Sequence, residues 1–277
     1  MRQGAWRCDK LCVSIILMAH HHSYQANGLQ SSSNPAASPK EDNLTDPGSG
    51  YLPYLLPMFS FLILSEVSAR FSDPPRDSMS LVMLCVRVFV PLSILVYFWQ
   101  KGSYPELRFS VSPMTIVDVV IGVLLAVMWM APYLLFPNLR PETDDAFNPE
   151  MAGKAMVPVV LTLRMLGYAI TTPWMEELFM RSFLPRYVEE YECGDDFRSV
   201  PIAKFTPKSF AVVVIVFLAT HLLWEWWVML PWAVLTMLWF YYRKDLFALI
   251  VVHAATNAAI LVAAICFSHR IPLWFFV

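Results

Sequence analysis

Most of the chain after residue 50 alternates between long apolar stretches and short polar loops. Stretches of about 18 to 23 residues are long enough to cross a hydrocarbon core of roughly 30 Å as α-helices. The pattern therefore predicts an all-α, polytopic transmembrane bundle with about seven or eight membrane helices. The long stretches lie at residues 51–69, 79–99, 114–136, 155–172, 209–230 and 245–267.

Two of these segments depart from a simple span. The stretch at 155–172 continues through a pair of acidic residues to about residue 188, and Pro173 should kink it by removing a backbone donor. Residues 231–242 form an apolar segment of only twelve residues that starts with Pro231. We expect this segment to be a short or re-entrant helix.

The first 50 residues differ in composition from the rest. Residues 11–19 are apolar but too few to span a membrane, and residues 23–50 are rich in Ser, Asn, Pro, Asp and Gly. Such a segment lacks the apolar content needed to fold alone. We expect a disordered tail at 1–50 and an integral membrane domain at 51–277. A translation start near Met58 is the alternative.

The overall composition supports a membrane protein. Hydrophobic residues make up 57% of the 277 positions and charged residues only 15%, whereas soluble domains average about 25% charged. The net charge of −2 argues against a nucleic-acid partner, because no extended basic face is visible in the sequence. The lipid bilayer is therefore the expected environment.

Loop charges predict the orientation of the bundle. The loops at 100–113, 186–208 and 242–245 carry Lys and Arg, whereas the loop at 137–154 is mainly acidic. The positive-inside rule then places the basic loops in the cytoplasm. The estimated depths of three polar residues discussed below, Glu176, His221 and His253, place them at one level in the cytoplasmic half of the membrane.

Glu176 and Glu177 stand inside an otherwise apolar stretch that ends at Arg181. Ionisable groups are costly in hydrocarbon and usually face a bundle interior or a wet cavity. Glu177 and Arg181 are four residues apart with the acid on the N-terminal side, which favours an ion pair. This leaves Glu176 as the carboxylate available for proton transfer. The alternative is a salt-bridge cluster with no catalytic role.

Two later apolar segments each contain a single histidine. His221 has Phe217 and Glu225 four residues to either side, so Phe217 can pack on its ring and Glu225 can fix its tautomer. His253 has Asn257 four residues later, and the two side chains can donate hydrogen bonds toward one point, as an oxyanion hole requires. The alternatives are a packed histidine bonded to a backbone carbonyl and an interhelical hydrogen bond.

These residues form three motifs in a fixed order: E-E-x-x-x-R at 176–181, F-x-x-x-H at 217–221 and H-x-x-x-N at 253–257. In this order the chain resembles the CAAX prenyl protease and bacteriocin-processing family of intramembrane proteases, also called type II CAAX proteases. The resemblance covers residues 155–267. It implies an endopeptidase that cleaves a membrane-associated protein or peptide.

The resemblance also implies roles for the individual residues. Glu176, helped by His221, is expected to activate water, and His253 with Asn257 is expected to form the oxyanion hole. Glu177 and Arg181 match supporting positions. No cofactor is favoured, although zinc held by Glu176, His221 and His253 is an alternative, because one carboxylate and two imidazoles suit that metal.

The size and loops of the chain are similar to bacterial members, in particular to the CAAX protease-related proteins of exosortase systems. This similarity implies a bacterial inner (plasma) membrane with the active site open toward the cytoplasm, and it makes prenylated substrates doubtful. Two other functions compete with proteolysis. They are a non-catalytic scaffold or immunity factor, and a transporter or proton pathway, which ranks last because no inverted repeat is visible.

Overall fold

The computed structural model describes residues 50–71, 77–141, 146–191, 196–267 and 273–277. These residues form seven α-helices and no strand. A short 3₁₀ turn at Trp274–Phe276 ends the chain. The helices are α1 Leu52–Phe71, α2 Asp77–Gln100, α3 Pro113–Leu135, α4 Lys154–Glu190, α5 Pro207–Ala219, α6 Trp226–Arg243 and α7 Leu246–Phe267.

Five of these seven helices are long and apolar enough to cross a membrane, namely α2, α3, α4, α6 with its preceding turn, and α7. The described part of α1 and the whole of α5 are shorter apolar helices. The chain is therefore an integral membrane protein with a polytopic helical fold, as its sequence predicts. The predicted tail at 1–50 lies outside the described residues except for Gly50.

The expected boundaries of the fifth and sixth segments are wrong. Helix α5 ends at Ala219, Leu222 is extended with ψ 148°, and the next span runs over Leu223–Arg243. The Thr220 hydroxyl bonds the Phe217 carbonyl, and the Glu225 carboxylate accepts the backbone N–H of Leu222 at 2.9 Å. These side chains end one helix and start the next. Hydropathy misses the break because the flanking residues are apolar.

Contacts between loops define the two ends of the bundle. At one end Arg198 donates to the carbonyl of Gly50 at 3.0 Å, and Arg186 pairs with Glu106 at 2.8 Å. We call this the basic end. At the other, which we call the distal end, the backbone N–H of Phe147 donates to the carbonyl of Trp274. Helix α4 starts at the distal end and finishes at the basic end.

A tyrosine supplies a hydrogen bond that the backbone of α1 lacks. Pro57 has no N–H, so the carbonyl of Pro53, four residues earlier, has no helical donor. The hydroxyl of Tyr104, in the loop after α2, donates to that carbonyl at 2.6 Å. Burial raises the pKa of Tyr104, which keeps the hydroxyl protonated as a donor. This bond holds the loop against the first turns of α1.

Helices α3 and α7 approach closely at a glycine. A Cβ added to Gly122 would lie 2.4 Å from the carbonyl oxygen of Val252 and 2.6 Å from the Cβ of Ala255. The Thr256 hydroxyl contacts the Gly122 carbonyl at 3.0 Å across the same gap. Small residues permit such backbone contact between membrane helices. This contact fixes the position of His253, which follows Val252 in α7.

We expect Gly122→Ala to destabilise the protein, because neither a backbone carbonyl nor a helix backbone can move aside cheaply. Overpacking of this kind costs about 1–3 kcal/mol. Thermal unfolding of the detergent-solubilised protein measures the effect. Val123→Ile adds one carbon on the exposed side of the same helix and serves as the control. Equal unfolding temperatures for the two variants would contradict the close approach.

Candidate active site

Helix α4 carries the acid pair between two π-helical turns, Gly167–Thr171 and Leu178–Phe183. Such turns are rare and often occur at functional sites. Pro173 supplies no N–H, and the N–H of Thr172 already bonds the carbonyl of Gly167. The Tyr168 carbonyl instead accepts the side-chain amide of Asn257 at 2.7 Å. The backbone defect in α4 is therefore closed by a side chain of α7.

Glu177 is fully buried and has two charged or ionisable neighbours. Its Oε1 lies 2.8 Å from Nδ1 of His253, and its Oε2 lies 3.6 Å from Nε of Arg181. The expected pairing of Glu177 with Arg181 is present as an ion-pair contact. The stronger hydrogen bond, however, goes to His253. Glu177 thus orients the imidazole and compensates the buried guanidinium.

Arg181 is fully buried and fixed by three neighbours besides Glu177. Its Nη2 donates to the Thr236 hydroxyl at 2.8 Å. Its guanidinium lies 4.1 Å from the ring centre of Phe217 and 5.9 Å from that of Trp232. A cation over aromatic faces in a desolvated site is a favourable contact. Arg181 therefore joins α4 to α5 and α6.

Glu176 differs from its neighbour in position and in contacts. Its side chain is 15% exposed, and it lines a cavity of about 320 Å³. Its Oε2 lies 3.9 Å from Nε2 of His253, which is beyond hydrogen-bond distance. Among the described residues no hydrogen bond to its carboxylate is found. Glu176 is thus the acid whose oxygens face the cavity.

His221 lies in the break between α5 and α6, not within a continuous helix. Its Nδ1 is 2.8 Å from the carbonyl of Phe217, so Nδ1 carries a proton and donates. Its imidazole lines the same cavity as Glu176 and His253. Irregular backbone at membrane depth is tolerated where protein or a cavity surrounds it. The break places the second nitrogen, Nε2, where it can accept a proton.

Glu225 does not bind His221 in the way helical spacing suggests. The two residues do not share a helix, and the carboxylate caps the start of the turn before α6. It still lines the cavity. The tautomer of His221 is fixed by the Phe217 carbonyl. Phe217 itself packs beside the His221 ring, with centroids 6.2 Å apart, and beneath Arg181.

The cavity brings together the four residues expected to act in catalysis, Glu176, His221, His253 and Asn257. It extends from them to Arg164 and to residues 275–277, which belong to the distal end. The opening toward the basic end, which is predicted to face the cytoplasm, stays a prediction. His221 lies where the chain breaks between α5 and α6, at residues 220–222.

Sequence reasoning missed several contacts of the site. It did not foresee that Glu177 orients His253, that Asn257 serves the Tyr168 carbonyl, or that Arg164 lines the cavity. Pro173 was the available signal for the second contact, because a proline always leaves a carbonyl in need of a donor. The contact between Glu177 and His253 depends on how α4 and α7 are rotated relative to each other, which the spacing of residues along the chain does not reveal.

The alternative zinc set is not assembled in this geometry. No three His, Cys, Asp or Glu side chains converge closely enough to hold a metal ion within the ranges that the structure describes. His253 directs one nitrogen to Glu177, and His221 directs one to a backbone carbonyl. Each of these contacts fixes which ring nitrogen of the histidine carries a proton.

We expect Arg181→Met to destabilise the protein strongly, because Glu177 would keep a buried charge without its cation. Breaking a buried pair by removing one partner costs about 3–5 kcal/mol. Expression yield and thermal unfolding in detergent measure the loss. Arg108→Met, in the exposed loop after α2, is the matched control. A stable Arg181→Met protein would show that the pair does not support the fold.

Comparison with known proteins finds a family match for part of the chain. Residues 158–259 match the family model described as type II CAAX prenyl endopeptidase Rce1-like. No curated protein and no solved structure matches the chain. The match spans α4 to α7 and contains all three motifs, and it says nothing of the exosortase-associated subgroup, which stays a prediction. Residues 158–259 of the chain are therefore similar to the type II CAAX prenyl endopeptidase family.

Proposed function

We propose that the protein is an intramembrane endopeptidase in which Glu176 activates water. The observation that carries this proposal is the unequal environment of the acid pair. Glu177 is buried and bonded to His253, whereas Glu176 lines the cavity and has no hydrogen bond among the described residues. A general base must reach the proton that it removes. Only one of the two acids meets this condition.

The proposed chemistry begins with a water molecule between Glu176 and His221. Glu176 accepts one proton, and the water oxygen attacks the carbonyl carbon of a peptide bond. His221 assists with Nε2, which is an acceptor because Nδ1 donates to Phe217. The proton then passes to the leaving amine, and the C–N bond breaks. Hydrolysis thus requires no covalent intermediate.

His253 and Asn257 are proposed to stabilise the oxyanion. Glu177 accepts the Nδ1 proton of His253, so Nε2 donates only when the imidazole carries both protons. Asn257 uses one amide hydrogen for the Tyr168 carbonyl and retains a second. Preorganised donors of this type are worth roughly 10²–10³ in rate.

The proposed substrate is a peptide segment of a membrane-associated protein that enters the cavity. The similarity of the chain to bacterial members argues against a prenyl group on the substrate. For orientation, we propose that the basic end faces the cytoplasm. Part of the cavity lining, Arg164 and residues 275–277, then lies toward the opposite side of the membrane.

A non-catalytic scaffold or immunity factor is the rival function. It would use the same buried contacts, among them Glu177 with His253 and Asn257 with Tyr168, to specify helix packing. It gives no role to Glu176, which lines the cavity without a hydrogen bond to any described residue. The two functions therefore differ in what a change at Glu176 does.

We expect Glu176→Gln to reduce peptide hydrolysis by at least about 100-fold, the lower range for a general base, while the protein remains folded and inserted. Peptides that co-purify with the Glu176→Gln variant are identified by mass spectrometry and then offered to the wild-type protein. Glu177→Gln is the matched comparison and should lose stability as well. Undiminished hydrolysis by a purified Glu176→Gln protein would refute the mechanism.

We also expect chelators to leave the activity unchanged, because the proposed steps use only side chains and water. The active protein is titrated with EDTA and with 1,10-phenanthroline, and hydrolysis of the same peptide is followed. A loss of activity that added zinc restores would overturn the metal-free proposal and favour the set Glu176, His221 and His253.

A further inference from the structure

Arg164 lines the cavity and has no anionic partner. Among the described residues no carboxylate forms an ion pair with it, and its Nε has no hydrogen-bond acceptor. Its guanidinium lies 5.0 Å from the ring centre of Phe147 and 5.2 Å from that of Tyr168. These rings hold the planar group in position. The guanidinium thus has a hydrogen-bond donor that no described group uses.

The position of Arg164 makes the lack of a partner costly. It lies in a membrane-spanning helix, and Arg87 on α2 is close enough to repel it. Arg87 also has an Nε without an acceptor. Charged side chains inside membranes normally pair with one another or mark a ligand pathway. The fold gives Arg164 no counter-charge among the described residues, whereas it gives Arg181 one.

Arg164 and Glu176 lie on one stripe of α4. Residues 164, 168, 172 and 176 recur every four positions, and all four line the cavity. Twelve residues of helix correspond to roughly 18 Å between Arg164 and Glu176. An extended peptide covers that distance with about four to six residues, at ~3.3–3.6 Å each. One peptide can therefore reach both side chains.

We propose that Arg164 binds a carboxylate of the peptide substrate, about four to six residues from the bond that is hydrolysed. The proposal rests on the proposed protease function and adds to it a recognition site. Arginine suits this role because its planar fork binds a carboxylate with two parallel hydrogen bonds. The carboxylate is either an acidic side chain or the terminal carboxyl group of the substrate.

Binding of defined peptides to the full chain with Glu176→Gln tests the site without hydrolysis. The probes are fluorescent apolar octapeptides. One pair differs by a free or amidated C-terminus, and a second series, amidated throughout, carries Asp or Asn at successive positions. We expect at least about tenfold tighter binding of one carboxylate form. The preference should disappear in the double variant Glu176→Gln/Arg164→Met.

The first pair of peptides identifies a terminal carboxylate and the second series an acidic side chain. Equal binding of all forms, or binding of none, contradicts the proposal. Stabilisation of the protein by phosphatidylglycerol that depends on Arg164, without a preference among the peptides, would assign the site to a lipid and likewise overturn it.

Stability provides a second test that needs no ligand. Arg164→Met removes a charge that no described carboxylate compensates and keeps the apolar stem, so the unfolding temperature should stay the same or rise. A large decrease, like that expected for Arg181→Met, would make Arg164 a structural residue. If the wild-type protein hydrolysed none of the peptides while the carboxylate preference persisted, the protease function would be refuted and this site would stand.

Discussion

The fold around the site depends on one buried carboxylate. Glu177 is fully buried in a membrane protein, where an uncompensated charge is expensive. Its two oxygens face His253 on α7 and Arg181 on α4. Arg181 in turn reaches Thr236 on α6 and the ring of Phe217 on α5. Four helices are held in register by the need to satisfy this single group.

The same contacts explain why Glu176 and Glu177, although adjacent, differ in burial and in hydrogen bonding. A step of about 100° along the helix carries the side chain from the packed interior to the cavity wall. Glu177 then acts on the site through the orientation of His253, and Glu176 faces the space where a substrate and water would lie. The π-helical turns and Pro173 support this arrangement, because the carbonyl that they leave exposed fixes Asn257 to α4.

The helical class and the motif residues could be predicted from sequence because length, hydropathy and four-residue spacing are local properties. The break at 220–222 could not, since its flanks are as apolar as a continuous span. That break changed the contact expected for Glu225, which caps the turn before α6. The His253–Glu177 bond depends on how α4 and α7 rotate against each other, and the spacing of Glu177 to Arg181 captured only part of it.

The cavity connects the acid at one end with an uncompensated arginine at the other. Both lie on α4, so a single helix sets the distance between Glu176 and Arg164. The C-terminal residues 275–277 close this space at the distal end, with the Phe276 carbonyl accepting the Tyr168 hydroxyl at 3.0 Å. The shape of the cavity thus depends on the same stretch of helix that carries the acid.

In the proposed mechanism Glu176 delivers water to the substrate and does not itself attack the peptide bond. A single turnover in H₂¹⁸O with enzyme in excess over peptide tests this role directly. If water attacks the peptide carbonyl, the heavy oxygen appears in the new carboxyl group of the product after the first turnover. If ¹⁸O appears instead in the side chain of Glu176, the acid acts as a nucleophile, and its role as a general base is refuted.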